Sequence, residues 1–414
     1  MHSELSEVRI HETRRRLAKS KISILKEKIM ETQNHSIHEQ YMRRAIELAE
    51  KGRGYTAPNP VVGCVVVKDG RIISEGYHER YGEFHAERNA LLRCKEDPEG
   101  ADLYVTLEPC CHQGKTPPCT DIIIEKKIGR VFVGSMDPNP LVAGKGVQIL
   151  KDAGIAVETG ILEKQCLKMN EIFFHFITTK TPFVLSKFAM SMDGKIASES
   201  GDSKWVTGEE ARAEVHLLRK YYSAIMVGIG TVLADDPMLN CRVEEGVDPV
   251  RIICDSSLRI PLDSKIVQTA KEIPTIVAAG SFGSDFFGSP MKLENMQEKE
   301  KQLSEQGVTV LHTSKGGKVD LKELMKLLGE RGIDSILMEG GGELNAAAFG
   351  AGIVSKVQAY IAGKIIGGET AKTPVAGKGA MTMKDASVLR DLEVRMVGQD
   401  ICMTGYPVPK EREI

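Results

Sequence analysis

The hydrophobic positions of this chain recur with two different periods, and the alternation between the periods predicts its elements. From Met42 to Ala49 the apolar residues fall on one helical face and the pattern stops at Gly52, which predicts a helix. Two β-rich runs follow, joined by Asp69-Gly70, a pair that closes two-residue hairpins. Next come a helix in "HAERNALLRC", a strand in "ADLYVTLEPC", and a helix and a strand in "TDIIIEKKIGRVFVGS". Strands that alternate with helices predict a layered α/β domain.

A second α/β pattern begins after the polar "TTKTP", and we place the domain boundary there, near Thr181. The run "KQCLKMNEIFFHFI" before it predicts one helix, and "FVLSKFAMS" after it predicts a strand. Further helices are predicted in "GEEARAEVHLLRKYY", "LKELMKLLGERG" and "ELNAAAF", and further strands in "AIMVGIG", "VRIICDS", "TIVAAG" and "SILMEGG". A Glu/Lys-rich segment around 281–304 is interpreted as a connector. The predicted domains are residues 37–180 and 181–414.

Residues 1–36 form a polar stretch of mixed charge that belongs to neither domain. Its acidic residues Glu4, Glu7 and Glu12 argue against an organelle transit peptide. We interpret it as a solvated, dispensable extension and weigh that against a partner-binding helix.

Length and charge narrow the possible functions. The 414 residues exceed the roughly 250 to 300 that one hydrophobic core supports, in agreement with two domains. The formal net charge of -2 and an aromatic content of 5% argue against a nucleic-acid partner, but they leave a small anionic substrate possible. No apolar run approaches the roughly 18 residues of a membrane span. The N-terminus also lacks a signal-peptide core, so we expect a cytoplasmic protein. Nine cysteines, an odd number in a long chain, favour reduced thiols or metal ligands over a disulfide framework.

The segment "EPCCHQGKTPPC" and the helix start at His85 and Glu87 carry the candidate chemistry. Residues two apart do not share a helical face, so both can point to one centre only if His85 lies in the non-helical entry turn. His85 with Cys110 and Cys119 would fill three positions around Zn²⁺ and leave the fourth for water, as in catalytic zinc sites. Zinc lowers the pKa of such a water to roughly 7. Glu87 is then free to carry its proton to leaving ammonia.

The order H-x-E followed by P-C is typical of zinc deaminases, although here the second cysteine follows as PC-x8-C instead of the short P-C-x-x-C. Cys111 adjoins Cys110 and is an alternative ligand; successive residues point apart, so only one of them can bind. The proline before Cys110 favours Cys110. His112 could replace His85, but no carboxylate follows it.

These motifs, in this order, resemble the bifunctional deaminase-reductases of riboflavin biosynthesis. "TAPNPVVGCVVVKDG", "FHAERNALL" and "TLEPCCHQGKTPPC" resemble the deaminase half; "KFAMSMDGKIA", "GDSKWVTGEEAR", "VGIGTVLADDPMLNCR" and "LMEGGGELNAAAF" resemble the reductase half. The resemblance extends from about residue 38 to 410. Two positions depart from the family pattern: Cys111 replaces a small polar residue, and Lys115 replaces the commoner arginine. The resemblance implies a cytidine-deaminase-like three-layer α/β/α domain, followed by a dihydrofolate-reductase-like α/β domain.

The resemblance also implies two reactions. The first domain would use Zn²⁺ to deaminate 2,5-diamino-6-(5-phosphoribosylamino)pyrimidin-4(3H)-one. The second would use NADPH to reduce the ribosyl group of the resulting 5-amino-6-(5-phosphoribosylamino)uracil to ribityl. A homo-oligomer is possible. In the first domain it implies His85, Cys110 and Cys119 as metal ligands, Glu87 as proton shuttle, and Asn59, Lys115, Asp137 and Asn139 as substrate contacts. For Asn59, ordinary turn chemistry before proline is an equal alternative.

The residues of the second domain, taken without the resemblance, indicate less about its function than those of the first domain do. Gly228 and Gly230 follow a strand, but with no third glycine and no following helix they do not make a dinucleotide-binding fingerprint. In "LMEGGGELNAAAF" a glycine turn leads to a helix N-terminus that could bind phosphate, or it is an ordinary turn. The resemblance implies cofactor contacts at Ala189, Trp205, Thr231, Asp235, Ser256, Gly341, Gly342 and Glu343, and substrate contacts at Ser203, Arg219, Leu239, Arg242 and Glu339. Lys187 and Lys195 are weaker candidates for the same anion.

Two other functions compete with this interpretation. A nucleic-acid base deaminase with an accessory domain would need a basic, aromatic-lined surface. A zinc-stabilised scaffold would need a fourth protein ligand and would have no use for Glu87.

Overall fold

The computed structural model describes residues 37–281, 290–313 and 317–409, so the proposed extension 1–36 lies outside the described residues. The chain divides into two compact units between Glu171 and Ile172. The predicted boundary near Thr181 lies beyond a helix, Glu171–Thr179, that opens the second unit. The domain limits 37–180 and 181–414 stay predictions. Within the described ranges no helix is both long and apolar enough to cross a membrane.

The first unit contains five strands and five helices among the described residues. In chain order they are α1 (37–50), β1 (Gly63–Lys68), β2 (Arg71–Tyr77), α2 (Ala86–Arg93), β3 (Asp102–Leu107), α3 (Cys119–Glu125), β4 (Arg130–Ser135), α4 (Lys145–Asp152), β5 (Ala156–Thr159) and α5 (Glu163–Met169). The strands form one mixed sheet in the order β2-β1-β3-β4-β5. β1 is antiparallel to β2 and β3, and β4 is parallel to β3 and β5.

The predicted hairpin is confirmed. Lys68 pairs with Arg71 at the end of the β1–β2 ladder, and Asp69 and Gly70 take the positive φ values of 53° and 74° that a tight two-residue turn needs.

Two glycines let helices approach the sheet from opposite sides. A Cβ on Gly63 would lie 1.9 Å from the carbonyl oxygen of Ala45 in α1. A Cβ on Gly76 would lie 2.4 Å from the backbone nitrogen of Ala90 in α2. Because the neighbouring pairs Gly63–Tyr77 and Cys64–Gly76 point to opposite faces of the sheet, α1 and α2 cover different faces. The expected three-layer α/β/α arrangement follows.

One helix prediction is wrong. The run "KQCLKMNEIFFHFI" forms two helices, α5 and α6 (Glu171–Thr179), separated at Asn170. The Asn170 side chain is buried, accepts a hydrogen bond from the Val61 N–H at 2.9 Å and donates one to the Val61 carbonyl at 2.9 Å. This long-range pairing outweighs the helical periodicity on either side, a kind of tertiary contact that local patterns do not show.

The second unit begins with α6 and continues with a larger sheet. Its other elements are β6 (Phe183–Ser191), α7 (Glu209–Tyr221), β7 (Ala224–Gly228), α8 (Ile229–Asp235), β8 (Val250–Cys254), α9 (Lys265–Gln268), β9 (Thr275–Ala279), α10 (Pro290–Glu305), β10 (Val308–His312), α11 (Leu321–Glu330), β11 (Ser335–Met338), α12 (Gly342–Ala351), β12 (Lys356–Ala362), a 3-10 turn (Met383–Asp385), β13 (Leu389–Val397) and β14 (Asp400–Pro407).

The nine strands are ordered β10-β9-β8-β7-β11-β6-β12-β14-β13, parallel from β10 to β12 and antiparallel at the β14–β13 end. Alternate residues of β7 enter two separate cores. Ala224 and Met226 pack with residues of α11 and α12, whereas Ile225 and Val227 pack with α8, α9 and α10. Helices therefore cover both faces of the parallel part, as the α/β pattern predicts.

Two further expectations for this unit are wrong. A helix does follow Gly228: α8 forms because Ile229 and Val232 are buried in the core beneath it, which overrides the weak helix propensity of the glycines. The interpreted connector contains a helix, α10, whose Leu303 reaches the same core. The antiparallel hairpin β13–β14 was not predicted from the sequence.

Candidate active sites

The candidate metal centre begins at the first turn of α2. His85 is the N-cap residue, with φ -74° and ψ 167°, and the helix starts at Ala86. The extended backbone turns the imidazole away from the helix face, so His85 and Glu87 can point to one centre. The expectation that His85 lies in a non-helical entry turn is confirmed.

The cysteine loop after β3 brings both candidate thiols to this imidazole. Cys119 is the first residue of α3, and its backbone N–H donates to the carbonyl oxygen of Cys110 at 3.0 Å, which closes the loop. Nδ1 of His85 lies 3.4 Å from Sγ of Cys110 and 3.6 Å from Sγ of Cys119. One ligand atom from each of the three lies within 4.8 Å of the other two, the only such group among the described residues.

The thiols and the imidazole form one coupled set of charges. The thiol of Cys119 donates to Cys110, and His85 adds a second favourable contact, so the pKa of Cys110 falls to about 4 despite burial. The pKa of Cys119 rises in consequence, because that thiol holds the shared proton and is buried. Burial acts to lower the pKa of His85, but Cys110 and Glu87 outweigh it and raise that pKa. A soft thiolate is already favoured at this position, which suits Zn²⁺.

Glu87 lies beside the cluster and has one oxygen without a partner. The residue is 3% exposed, and no hydrogen bond is made to its buried Oε2 within the described residues. Burial first, and the Cys110 charge second, raise the pKa of Glu87 to about 7. A buried carboxyl that has one unpaired oxygen and a pKa near neutrality is suited to accepting and releasing a proton.

The two alternative ligands lie outside the cluster. Sγ of Cys111 points instead toward the carbonyl oxygen of Leu141, at 3.8 Å. Nδ1 of His112 is buried without a partner in the described ranges, and its charge acts on Asp137.

Asn59 is connected to the metal centre through a residue that the sequence analysis missed. Nδ2 of Asn59 lies 3.3 Å from Nε2 of His78, whose ring meets that of His85 edge-on at 5.2 Å between centroids. Nδ1 of His78 lies 3.1 Å from the carbonyl oxygen of Phe84, which fixes the ring. Burial lowers the pKa of His78, so the ring is neutral. Its only sequence signal is its place directly after β2.

The three remaining candidates of the first unit lie on two loops beside the cysteines. Lys115 is exposed, with Nζ 4.0 Å from the centre of the Tyr81 ring. Oδ1 of Asp137 accepts the Asn139 N–H at 2.8 Å, and burial raises the pKa of Asp137 to about 6. The charge of Cys110 also acts on Asp137, which puts this loop near the cluster.

A buried carboxylate holds the Asp137 loop through its backbone. Glu108 is 3% exposed and accepts the N–H groups of Asp137 at 3.3 Å, Gly144 at 3.0 Å and Val147 at 3.2 Å. At Gly146 an added Cβ would lie 2.1 Å from the carbonyl oxygen of Pro109, so the chain can pass there only without a side chain. The loop is therefore fixed against the start of the cysteine loop.

In the second unit Glu339, directly after β11, organises a group of cations. Its carboxylate accepts two hydrogen bonds from Arg219, from Nε at 2.8 Å and from Nη2 at 3.0 Å. Nζ of Lys187 lies 3.4 Å from Oε2 of the same carboxylate. All three side chains are 11% to 12% exposed. Burial opposes the charged form of Glu339, but Lys187 and Arg219 outweigh it and hold its pKa at about 2. Lys187, ranked low from sequence, is therefore in direct contact with Glu339; Lys195 instead lies 3.4 Å from the Ala371 carbonyl oxygen.

The other predicted substrate contacts lie in the loops around this group. Nη1 of Arg219 donates to the carbonyl oxygen of Asn240 at 3.1 Å, which brings the segment that carries Leu239 and Arg242 beside it. Leu239 is buried with a φ of 52°, and Arg242 is exposed. Ser203 is half-buried in the loop before α7, and no contact links it to Glu339.

Some of the predicted cofactor residues lie close together around the glycine turn before α12, and the others lie elsewhere in the second unit. Gly341 is the N-cap of α12 without a side-chain cap, and Thr231 lies beside it, since a Cβ on Gly341 would be 3.8 Å from Oγ1 of Thr231. A Cβ on Gly342 would lie 2.7 Å from the carbonyl oxygen of Thr373. The glycine turn is therefore tight, and it leads directly into the N-terminus of α12. Glu343 is exposed in the first turn of α12.

The separate candidates differ in exposure. Ser256 accepts the Val319 N–H at 3.2 Å, and Ala189 packs against Ala211 and Tyr360. Trp205 is 61% exposed, with the Arg212 guanidinium 4.6 Å from the centre of its ring, so it is not a core residue. Asp235 ends α8 in solvent.

Comparisons with known protein families match the two units to two different families. The cytidine and deoxycytidylate deaminase zinc-binding region matches residues 35–135, which include all three candidate ligands and Glu87. The RibD C-terminal domain matches residues 182–403. The chain is thus a zinc-dependent deaminase joined to a reductase.

Relatives that cover both halves define the family more closely. The riboflavin biosynthesis protein RibD of Actinobacillus pleuropneumoniae is 53% identical over 88% of this chain and 93% of its own length. The protein of the same name from Bacillus amyloliquefaciens is 42% identical over 90% and 96%. The chain belongs to the RibD family of bifunctional deaminase-reductases of riboflavin biosynthesis, and it uses zinc and NADPH as that family does.

Solved structures of this family share the fold. Acinetobacter baumannii RibD, form 2, is 36% identical with a TM-score of 0.77, and the match covers 91% of this chain and 100% of that one. A diaminohydroxyphosphoribosylaminopyrimidine deaminase/5-amino-6-(5-phosphoribosylamino)uracil reductase from Thermotoga maritima is 37% identical with a TM-score of 0.77 and the same coverage.

Proposed function

We propose that this chain catalyses two consecutive reactions at sites in separate units. The first unit removes an amino group from 2,5-diamino-6-(5-phosphoribosylamino)pyrimidin-4(3H)-one as ammonia. The second reduces the ribosyl group of the product, 5-amino-6-(5-phosphoribosylamino)uracil, to ribityl with NADPH. Family membership supports both reactions, and the residue roles below are our proposals.

In the first unit His85, Cys110 and Cys119 hold the zinc. The donor set of one imidazole and two thiols, one of which is already favoured as thiolate, fits this ion. Zinc, when bound, supplies an activated water for attack on the amino-bearing ring carbon. Glu87 takes the proton of that water on Oε2 and delivers it to the leaving amino group.

The substrate contacts of the first unit divide by chemistry. Asn59, held next to His78, offers an amide to the polar edge of the pyrimidine. Lys115 supplies a positive charge and Asn139 an amide to the phosphoribosyl group, and Asp137 accepts hydrogen bonds from its hydroxyls.

In the second unit Glu339 stays charged and orients Lys187 and Arg219 toward the substrate. Arg219 and Arg242 bind the phosphate, and Ser203 and Leu239 line the remainder of the substrate site. NADPH supplies the hydride, and the backbone at Gly341, Gly342 and Glu343 binds its phosphate groups. The other cofactor contacts are Ala189, Trp205, Thr231, Asp235 and Ser256.

The observation that carries the proposal is the convergence of one imidazole nitrogen and two thiol sulfurs within 4.8 Å of one another, beside the unpaired oxygen of Glu87. It is tested by supplying the diaminopyrimidinone phosphate with and without NADPH while ammonia and NADPH absorbance are followed together. Ammonia should appear without NADPH, and NADPH should be consumed only after deamination. NADPH consumption that precedes ammonia release would contradict this order.

Three further expectations stay predictions. These are the cytoplasmic location, the lack of a nucleic-acid partner and self-association.

Self-association could use the edge strand β13, which exposes Leu392, Val394 and Met396. If a second copy of β13 paired antiparallel with it, centred on Val394, Glu393 of each copy would lie opposite Arg395 of the other. The molecular mass in solution measures it directly, and a monomer at all concentrations would rule it out.

A further inference from the structure

Helix α7 carries an imidazole near Glu339 to which none of the roles above is assigned. His216 lies three residues before Arg219, so the two side chains share one helix face. Nδ1 of His216 is buried without a hydrogen-bond partner in the described residues, and so is Oδ1 of Asn240. Buried polar atoms are rarely left unpaired, so an unpaired imidazole nitrogen on this helix and an unpaired amide oxygen in a loop that contacts the helix point to a polar ligand.

Two contacts set the loop after α8 against this face. Nη1 of Arg219 donates to the carbonyl oxygen of Asn240 at 3.1 Å, and Sγ of Cys241 lies 3.9 Å from the carbonyl oxygen of His216. Arg242 is the next residue, and its charge acts on His216. It is exposed and makes no ion pair within the described ranges. Arg219, Arg242 and His216 therefore border one location.

The charges around His216 are unbalanced. Of the four charged side chains that act most strongly on the ring, Lys187 on β6, Arg219 on α7 and Arg242 in the loop are positive, and Glu339 after β11 is negative. Two positive charges are left uncompensated. Burial first, then Arg219 and Arg242, lower the pKa of His216, so the imidazole is neutral near neutral pH. A dianion would balance this surplus.

We propose that His216 is a specificity-determining residue of the reductase, which binds the substrate phosphate together with Arg219 and Arg242. The inference rests on the proposed function, in which the phosphate is the dianionic group of the substrate. A phosphate offers oxygens that can accept from the imidazole, and its charge matches the surplus at this location. His216 thus distinguishes a phosphorylated substrate from one without phosphate.

A consequence for proton uptake follows. The bound dianion raises the pKa of His216, so the ring takes up a proton when phosphate binds. Binding should strengthen as the pH falls through neutrality, until the phosphate itself is protonated near its second pKa of about 6. A glutamine at this position can still donate a hydrogen bond but cannot titrate.

The test compares His216→Gln with the wild-type full-length enzyme loaded with zinc. Calorimetric titration with ribose 5-phosphate, in two buffers of different ionisation enthalpy, measures the protons taken up on binding. Wild type should take up protons, and His216→Gln should take up clearly fewer. In the reductase assay the KM for the phosphorylated uracil should rise roughly tenfold with kcat little changed, as expected when a charge-assisted hydrogen bond is replaced by the weaker one that a neutral amide donates. The KM for the same compound without phosphate should not change.

Leu217→Ala on the same helix, at a side chain 38% exposed, is the matched control and should behave as wild type. Equal proton uptake and equal KM in His216→Gln and wild type would overturn the inference while leaving the reductase intact. Equal losses with both substrates would also overturn it, because they indicate a structural role only. Failure of the proposed function is distinguishable, since wild type itself would then not oxidise NADPH with the uracil.

Discussion

Glu87 and Glu339 are both buried carboxyl groups, one in each unit, and their surroundings push their pKa values in opposite directions. Glu87 has an oxygen without a partner beside a thiolate, and its pKa rises to about 7. Glu339 receives three hydrogen bonds from Lys187 and Arg219, and its pKa falls to about 2. The first can exchange a proton near neutral pH, whereas the second remains a fixed anion. The same residue type is thus suited to proton transfer in one unit and to orienting cationic side chains in the other.

The comparison also shows how sites of different construction combine in one chain. The candidate metal centre takes its three potential ligands and Glu87 from residues 85–119. The cation group of the second unit combines β6, α7 and the end of β11, from Lys187 to Glu339. The former depends on a local loop and helix start, the latter on the strand order β11-β6 within the sheet.

The largest effect is expected from replacing Glu87. Glu87→Gln should lower the rate of ammonia release by about 10² to 10⁴-fold, because the amide cannot carry the proton. Zinc content, measured on the purified protein, should be unchanged, and so should NADPH-dependent reduction of supplied uracil intermediate. Loss of both activities together would contradict independent sites.

Replacing Glu339 is expected to affect the second unit alone. Glu339→Gln leaves Lys187 and Arg219 buried beside a neutral amide, and breaking such a pair typically costs about 3 kcal/mol of unfolding free energy. Denaturant unfolding followed by a probe in the second unit measures this loss. Reduction should weaken, and ammonia release should match wild type. An unchanged midpoint of unfolding would show that the pair contributes no net stability.

A smaller effect concerns pH. A carboxyl whose pKa is lowered on folding stabilises the fold above its ordinary pKa of 4.5, and that contribution is lost as the pH falls toward about 2. The difference in unfolding free energy between wild type and Glu339→Gln should therefore be constant above pH 5 and shrink below it. A difference that does not change over this range would mean that Glu339 is not the ionised partner.

Features encoded by neighbouring residues were predictable from sequence. The Asp69-Gly70 hairpin, the helix start at His85 and the glycine turn before α12 each depend on a few successive residues, and the structure confirms all three. The departures arise where distant residues meet. Asn170 interrupts a helix because it pairs with Val61, and α8 forms because Ile229 is buried in the core below it.

The candidate sites show the same limit. The motif around the cysteines predicts the cluster and, through the proline before it, favours Cys110 over Cys111; the loop geometry agrees, because Sγ of Cys111 points toward the Leu141 carbonyl oxygen instead. The contact of Lys187 with Glu339 and the link from Asn59 to His78 join residues that no spacing rule connects. Whether each residue performs the role proposed for it stays a prediction.

The Glu108 carboxylate holds the 137–147 loop through hydrogen bonds from three backbone N–H groups, and no side chain of that loop takes part. Protein engineers could therefore exchange Pro138, Leu141 or Lys145 without cutting this tether. The side chains of this loop can change while its course is kept, so substitutions there would test whether it contacts the phosphoribosyl group as proposed.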